Sequence, residues 1–100
     1  MAYRILFYDV VSDRRRGRLH KGLRSMLLPV QKSAFEGWLD HRALRDLLAL
    51  VHDEIDPSED KVRLVTLCGR CQRRLITLGD MPRPLTEDEV VLLALEERTA

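Results

Sequence analysis

Aromatic side chains are scarce, at 5% of 100 residues, and cysteine occurs only twice. Two cysteines rule out a scaffold stapled by several disulfides. No apolar run approaches the roughly 20 residues that a membrane-spanning helix needs, which excludes that class as well. Lysine is also thin, since fourteen of the seventeen basic residues are arginine. Arginine suits bidentate contact with phosphate, although a GC-rich coding sequence produces the same bias. The apolar share of 45% beside 33% charged residues is that of an ordinary globular domain, with room for one core that buries roughly 65% of the unfolded surface. The chain opens Met1-Ala2-Tyr3-Arg4 and runs directly into strand-like sequence, with no basic leader and no small-residue cleavage pattern. A cytoplasmic location with no membrane contact is expected.

Net charge is only +1, an average that hides a polarity along the chain. Residues 1–35 hold eight Lys/Arg against two acids, whereas residues 80–100 hold two against six. The basic front begins where the first strand ends. In Tyr3-Arg4-Ile5-Leu6-Phe7-Tyr8-Asp9 an apolar stretch stops at a carboxylate, and Arg14, Arg15, Arg16 and Arg18 follow at once. The carboxyl ends of strands are where α/β sheets gather ligands, so one acid beside a cationic patch points to a metal and a phosphodiester. Helix capping by Asp9 and a solvated face for the arginines are the plainer alternatives.

Tyr3, Ile5 and Phe7 fall on one side of that strand and Leu6, Tyr8 and Val10 on the other, so both faces need cover. Ser12 or Asp13 caps a helix in which Leu19, Leu23, Met26 and Leu27 recur at helical spacing, ending before Pro29. Gly17 and Gly22 inside it hint at close packing or backbone approach. Residues 30–39 alternate, as one strand or a broken pair, with Gln31, Ser33, Phe35 and Leu39 on one face. Asp40 caps a second helix carrying Leu44, Leu47, Leu48, Val51 and Ile55, which Asp56-Pro57-Ser58-Glu59-Asp60 terminates. Lys61 to Cys68 gives another strand, Gly69 and Arg70 a turn, and Arg74 to Leu78 a last short strand before Gly79.

This order predicts an α+β, ferredoxin-like βαββαβ sandwich over residues 3–79 with an extra C-terminal strand. Both helices then cover one sheet face. The other face would expose apolar residues, so a homodimer packed sheet to sheet is expected, and its two-fold axis would pair one Asp9 with another.

YDVVSDRRRGRL, VQKSAFEG and DPSEDKVRLVTLCGRC, in that order and spacing, closely resemble the CRISPR-associated protein 2 family across residues 3–79. The resemblance implies a ferredoxin-like homodimer with a divalent metal, Mg²⁺ or Mn²⁺, shared between two copies of Asp9. It further implies endonuclease activity on RNA or duplex DNA, and a scaffold that bridges the integrase CRISPR-associated protein 1 and holds prespacer duplex during spacer acquisition. Arg16 and Arg18 match the family's basic positions, and Ser33 and Phe35 match the serine and phenylalanine of its second block. Pro29 stands where some members carry arginine, so no role carries to it. A catalytically silent DNA-binding scaffold and a toxin-like endoribonuclease of related fold are the alternatives. A small-molecule-binding regulatory dimer is disfavoured, because the chain has no glycine-rich ligand loop.

The Tyr8 hydroxyl, next to Asp9, could bond a phosphate or Asp9 itself. Ser33 could contact substrate, while Phe35 fits the core better than a substrate-adjacent role. Cys68 and Cys71 form a lone CxxC without a histidine at zinc-ligand spacing, read as reduced turn residues, with zinc shared across a dimer as the lesser alternative. Residues 80–100 read as a linker, Met81-Pro82-Arg83-Pro84, and a capped apolar block, Val90 to Leu95, that docks on the partner protomer or the integrase.

Overall fold

The computed structural model describes residues 1–81. Strands β1 (Ala2–Asp9), β2 (Leu28–Gln31), β3 (Ala34–Leu39) and β4 (Lys61–Leu67) form one sheet, and helices α1 (Asp13–Leu23), α2 (His41–Glu54) and α3 (Gly69–Arg73) punctuate them. The strand order is β2-β3-β1-β4 and every pairing is antiparallel. This is the expected ferredoxin-like arrangement, with β1 in the interior between β3 and β4.

Local chemistry explains the helix ends. The Ser12 side chain accepts the Arg15 N–H to open α1, and the Asp40 carboxylate accepts the Ala43 N–H at 2.8 Å to open α2. α1 stops at Leu23, earlier than the leucine spacing suggests. Met26 and Leu27 lie in the following turn, yet Leu27 remains buried and its N–H still reaches the Leu23 carbonyl at 2.8 Å. α1 and α2 pack together, and Gly22 is the contact that needs no side chain: a Cβ there would sit 2.8 Å from Leu50 Cδ2. Gly17 has open space instead, so packing does not explain it.

The helix-facing side of the sheet carries Leu6, Tyr8, Val10, Phe35 and Leu39, which join Leu19, Leu23, Leu27, Leu47 and Val51 in the core. Of the apolar positions read on α2, Leu48 is exposed rather than buried. The opposite face, by register, holds Tyr3, Ile5, Phe7 and Asp9 with Trp38, Glu36 and Ala34 on β3 and Leu67, Val65, Arg63 and Lys61 on β4. Phe7 is 47% exposed there, while Tyr3 is buried against Trp38 in an edge-to-face contact and bonds Glu36 through its hydroxyl. The α+β layering is therefore observed.

One expected element is corrected. Residues 74–78 form no strand; β4 runs into the short helix α3 at Gly69, and Ile76 and Leu78 beyond it are more than 80% exposed. The apolar block from Val90 and the linker prolines lie outside the described residues. Among the described residues no helix is long and apolar enough to cross a membrane.

Candidate nucleic-acid and metal site

Because β1 side chains alternate, its last residue turns away from the helices, and Asp9 stands exposed on the open sheet face opposite Lys61. A concavity of about 600 Å³ surrounds it, lined by Phe7, Asp9, Ser33, Lys61, Arg63 and Val65 among others. The Asp9 carboxylate makes no ion pair or hydrogen bond among the described residues. It is free to bind something. Ser33 is held beside it, since its carbonyl accepts the Tyr8 N–H at 3.0 Å. Lys61 and Arg63, absent from the sequence-level candidates, bring two cations to the same hollow. Their signal was present in the alternation Lys61-Val62-Arg63-Leu64, which puts both on one face.

A hard divalent cation takes six or more oxygen ligands. Among the described residues no three His, Cys, Asp or Glu side chains converge, so one chain offers a single carboxylate and no complete metal centre. The donor type fits Mg²⁺ or Mn²⁺, but the donor number does so only if a second Asp9 joins it.

Tyr8 is not brought to this chemistry. Its side chain points to the helix layer, where the hydroxyl donates to the Lys32 carbonyl at 2.8 Å and lies 3.3 Å from His20 Nδ1. With its one proton committed to Lys32, the hydroxyl receives the imidazole N–H through its oxygen. Burial pushes the Tyr8 phenol up, against a smaller lowering by Arg16. A separate hollow of about 350 Å³ lies here, lined by Tyr8, Asp13, Arg16, Gly17, His20 and Lys32. Phe35 is a core residue, fully buried with its ring stacked 6.2 Å from Tyr8 and edge-on 5.1 Å from His20.

The arginine run divides by partner. Arg14 and Arg18 are exposed and carry no side-chain partner among the described residues. Arg16 donates to the Val10 carbonyl at 3.0 Å and pairs with Asp13. Arg15 is committed to structure: Nε meets Asp60 at 2.9 Å and Nη2 meets Glu59 at 2.8 Å.

Asp60 is the residue that sequence reasoning missed. Its side chain is wholly buried, and its carboxylate accepts from Arg15, from the Val11 N–H at 3.0 Å and from the Asp56 N–H at 2.8 Å. It thereby ties the turn after Asp9 to the start of β4. The Arg15 guanidinium holds the Asp60 carboxyl far below the carboxylate range; burial opposes this, and the Asp56 and Val11 N–H groups reinforce it. An acid directly before a strand, at the end of Asp56-Pro57-Ser58-Glu59, reads from sequence only as a helix terminator.

Residues 1–75 match the family described as CRISPR associated protein Cas2. The CRISPR-associated endoribonuclease Cas2 3 of Chloroflexus aurantiacus is 34% identical over 77% of this chain and 83% of its own length. The CRISPR-associated endonuclease Cas2 2 of Thermus thermophilus is 33% identical over 75% of this chain and 81% of its own. The crystal structure of a hypothetical protein from Thermus thermophilus superposes with a TM-score of 0.74 at 32% identity, covering 84% of this chain and 98% of that one.

Proposed function

The chain belongs to the CRISPR associated protein Cas2 family, and from that premise we propose that it is a CRISPR-associated nuclease subunit. It works as a homodimer in spacer acquisition, holds duplex DNA, and bridges the integrase CRISPR-associated protein 1. The observation that carries the reading is Asp9, exposed and without a partner among the described residues at the end of an interior strand, on a sheet face that also exposes Phe7. Packing two such faces buries Phe7 and Ile5 and brings two Asp9 carboxylates toward one axis.

Between them the two carboxylates would hold Mg²⁺ or Mn²⁺, which would supply stabilisation of phosphoryl charge and activation of water. The chain's own residues do the rest. Lys61 and Arg63 take the phosphodiester oxygens, and Ser33, whose backbone carbonyl is held by the Tyr8 N–H, donates a hydrogen bond from its hydroxyl to the same group. Arg14 and Arg18 hold backbone phosphates further along a duplex, with Arg16 as a partly engaged third contact. Tyr8 acts at a distance, as the residue that anchors the 32–33 turn.

A specific observation favours a second reading, a catalytically silent scaffold. Each chain supplies one carboxylate flanked by two cations, an arrangement that binds phosphate well without metal.

Wild-type protein and Asp9→Ala, incubated with labelled duplex DNA and single-stranded RNA with and without Mg²⁺ or Mn²⁺, separate the two. Metal-dependent cleavage by the wild type that vanishes in Asp9→Ala, with binding retained, supports the nuclease. Cleavage at equal rates by both proteins removes Asp9 from the reaction; duplex binding with no cleavage by either leaves the scaffold.

A further inference from the structure

The sequence places Cys68-Gly69-Arg70-Cys71 between two strands, which argues against redox chemistry. The structure places it at a strand-to-helix junction instead. Cys68 follows β4 directly and caps α3, and its sulfur accepts the Cys71 N–H at 3.5 Å. Both side chains are exposed, and both thiols are free. The two thiols already contact each other across this one turn, and a disulfide needs their Cβ atoms roughly 3.5–4.5 Å apart, somewhat closer than the roughly 5–6 Å of neighbours on a helix. A small local adjustment of this exposed turn joins them.

We infer that Cys68 and Cys71 are a reversible dithiol site that closes to an intramolecular disulfide by exchange with a small anionic disulfide of the glutathione type. This goes beyond the nuclease reading and does not depend on it.

The two sulfurs are not equivalent. Cys71, through its N–H first and then its thiol, holds Cys68 below the usual thiol value, and the same contact pushes Cys71 up. Cys68 is therefore the attacking group. Its thiolate attacks one sulfur of the small disulfide, breaking that S–S bond, forming a mixed disulfide and expelling the first small thiolate. Cys71 then gives its proton to the expelled thiolate or to water, and its sulfur attacks Cys68, expelling the second. Two electrons pass from the protein to the small disulfide, which leaves as two thiols.

The surroundings select an anionic partner. From Lys61 to Gly79 the chain carries five basic residues and no acid, and Arg70, Arg73 and Arg74 lie within or just after α3. A tripeptide disulfide bearing carboxylates is drawn to that segment. A metal site is the weaker account, since no third His, Cys, Asp or Glu joins the two sulfurs among the described residues.

The test is to incubate full-length protein with oxidised glutathione and follow free thiols, intact mass and non-reducing electrophoresis over time. Wild type should lose both thiols, stay a single chain, and end two hydrogens lighter with no adduct. Cys71→Ser should stop at one glutathione adduct on Cys68. Cys68→Ser should react several-fold more slowly than Cys71→Ser, because the Cys71 N–H that stabilises the Cys68 thiolate remains in Cys71→Ser and Cys71 has no such donor among the described residues. Both positions are exposed, so neither serine should unfold the domain, and unchanged melting temperatures confirm that. Stable double adducts, chains cross-linked to one another, or untouched thiols in the wild type would overturn the site. Equal rates in the two serine variants would overturn the assignment of Cys68 as attacker.

Discussion

Phe35 is the residue at which a substrate role and a packing role make opposite predictions. Its ring is fully buried between Tyr8 and His20, with no path to the Asp9 hollow. Burying an aromatic ring removes roughly 200 Å² from water, worth about 5 kcal/mol at 25 cal/mol per Å² as an upper bound. Alanine keeps part of that burial but leaves a cavity that Tyr8 and His20, each tied by a hydrogen bond, fill only incompletely. Phe35→Ala should therefore cost about 3–5 kcal/mol. A domain of this size loses roughly 4–8 °C of melting temperature per kcal/mol, so the midpoint should fall by about 12–40 °C. Phe35→Leu, which keeps most of the volume, should cost only about 1–2 kcal/mol and leave duplex binding intact. Denaturant unfolding of both variants, followed by duplex titration of the leucine variant under conditions where it is folded, gives the answer. A Phe35→Ala protein that melts with the wild type but binds nucleic acid poorly would refute the packing assignment.

Three further outcomes follow from the same contacts. Asp60 and Asp56 titrate below their ordinary value of 3.8 when folded, so the stability they confer is complete above that pH and lost as pH falls below it; acid unfolding of Asp60→Asn should lack much of this dependence while starting from a lower midpoint. Burial pushes up both tyrosines of the chain, so at pH ~10 ultraviolet absorbance should show clearly less tyrosinate in native protein than the about half ionisation of urea-unfolded chain. Early native ionisation would contradict the burial of Tyr3 and Tyr8. Gly17 sits mid-helix with open space where a Cβ would go, so Gly17→Ala should raise stability by about 0.5–1 kcal/mol by chemical denaturation; if it also weakens duplex binding, the glycine admits a phosphate backbone rather than a neighbour.

The parts of the fold legible in the sequence are those whose signal is local. Asp40 and the spacing of Leu44, Leu47 and Val51 define α2, and the apolar run ended by Asp9 defines β1. The break between β2 and β3 was only half visible, because Lys32-Ser33 lacks the Asn-Gly or Asp-Gly pair that usually marks a tight hairpin. α3 was missed for a plain reason: Gly69-Arg70-Cys71-Gln72-Arg73 opens on glycine and has no apolar repeat. Residues 74–78 have strand-like composition, but strand propensity is a statement about neighbours, and among the described residues they pair with none. At the site, Asp9 and the exposed Arg14 and Arg18 were readable. The commitment of Arg15 to Asp60, across 45 residues, was not, since nothing in a run of arginines says which one meets a buried acid.

The alternation of β1 has a consequence for how metal and nucleic acid enter the proposed site. Tyr8 and Asp9 are neighbours in sequence, yet one belongs to the core and the other to the open face, so the carboxylate stands without a phenol beside it. What it does have nearby is Lys61 and Arg63. Two such half-sites brought together in the proposed dimer would hold two carboxylates and four cations, a field that would repel a divalent ion in the free protein. A phosphodiester reverses that field, because it neutralises the cations and adds oxygen ligands of its own. On the proposed function metal and nucleic acid would therefore favour each other's binding, and by linkage the factor by which nucleic acid tightens the metal would equal the factor by which metal tightens nucleic acid. A scaffold that binds duplex without metal and a nuclease that acquires metal only on its substrate are, on this electrostatic ground, two occupancies of one site.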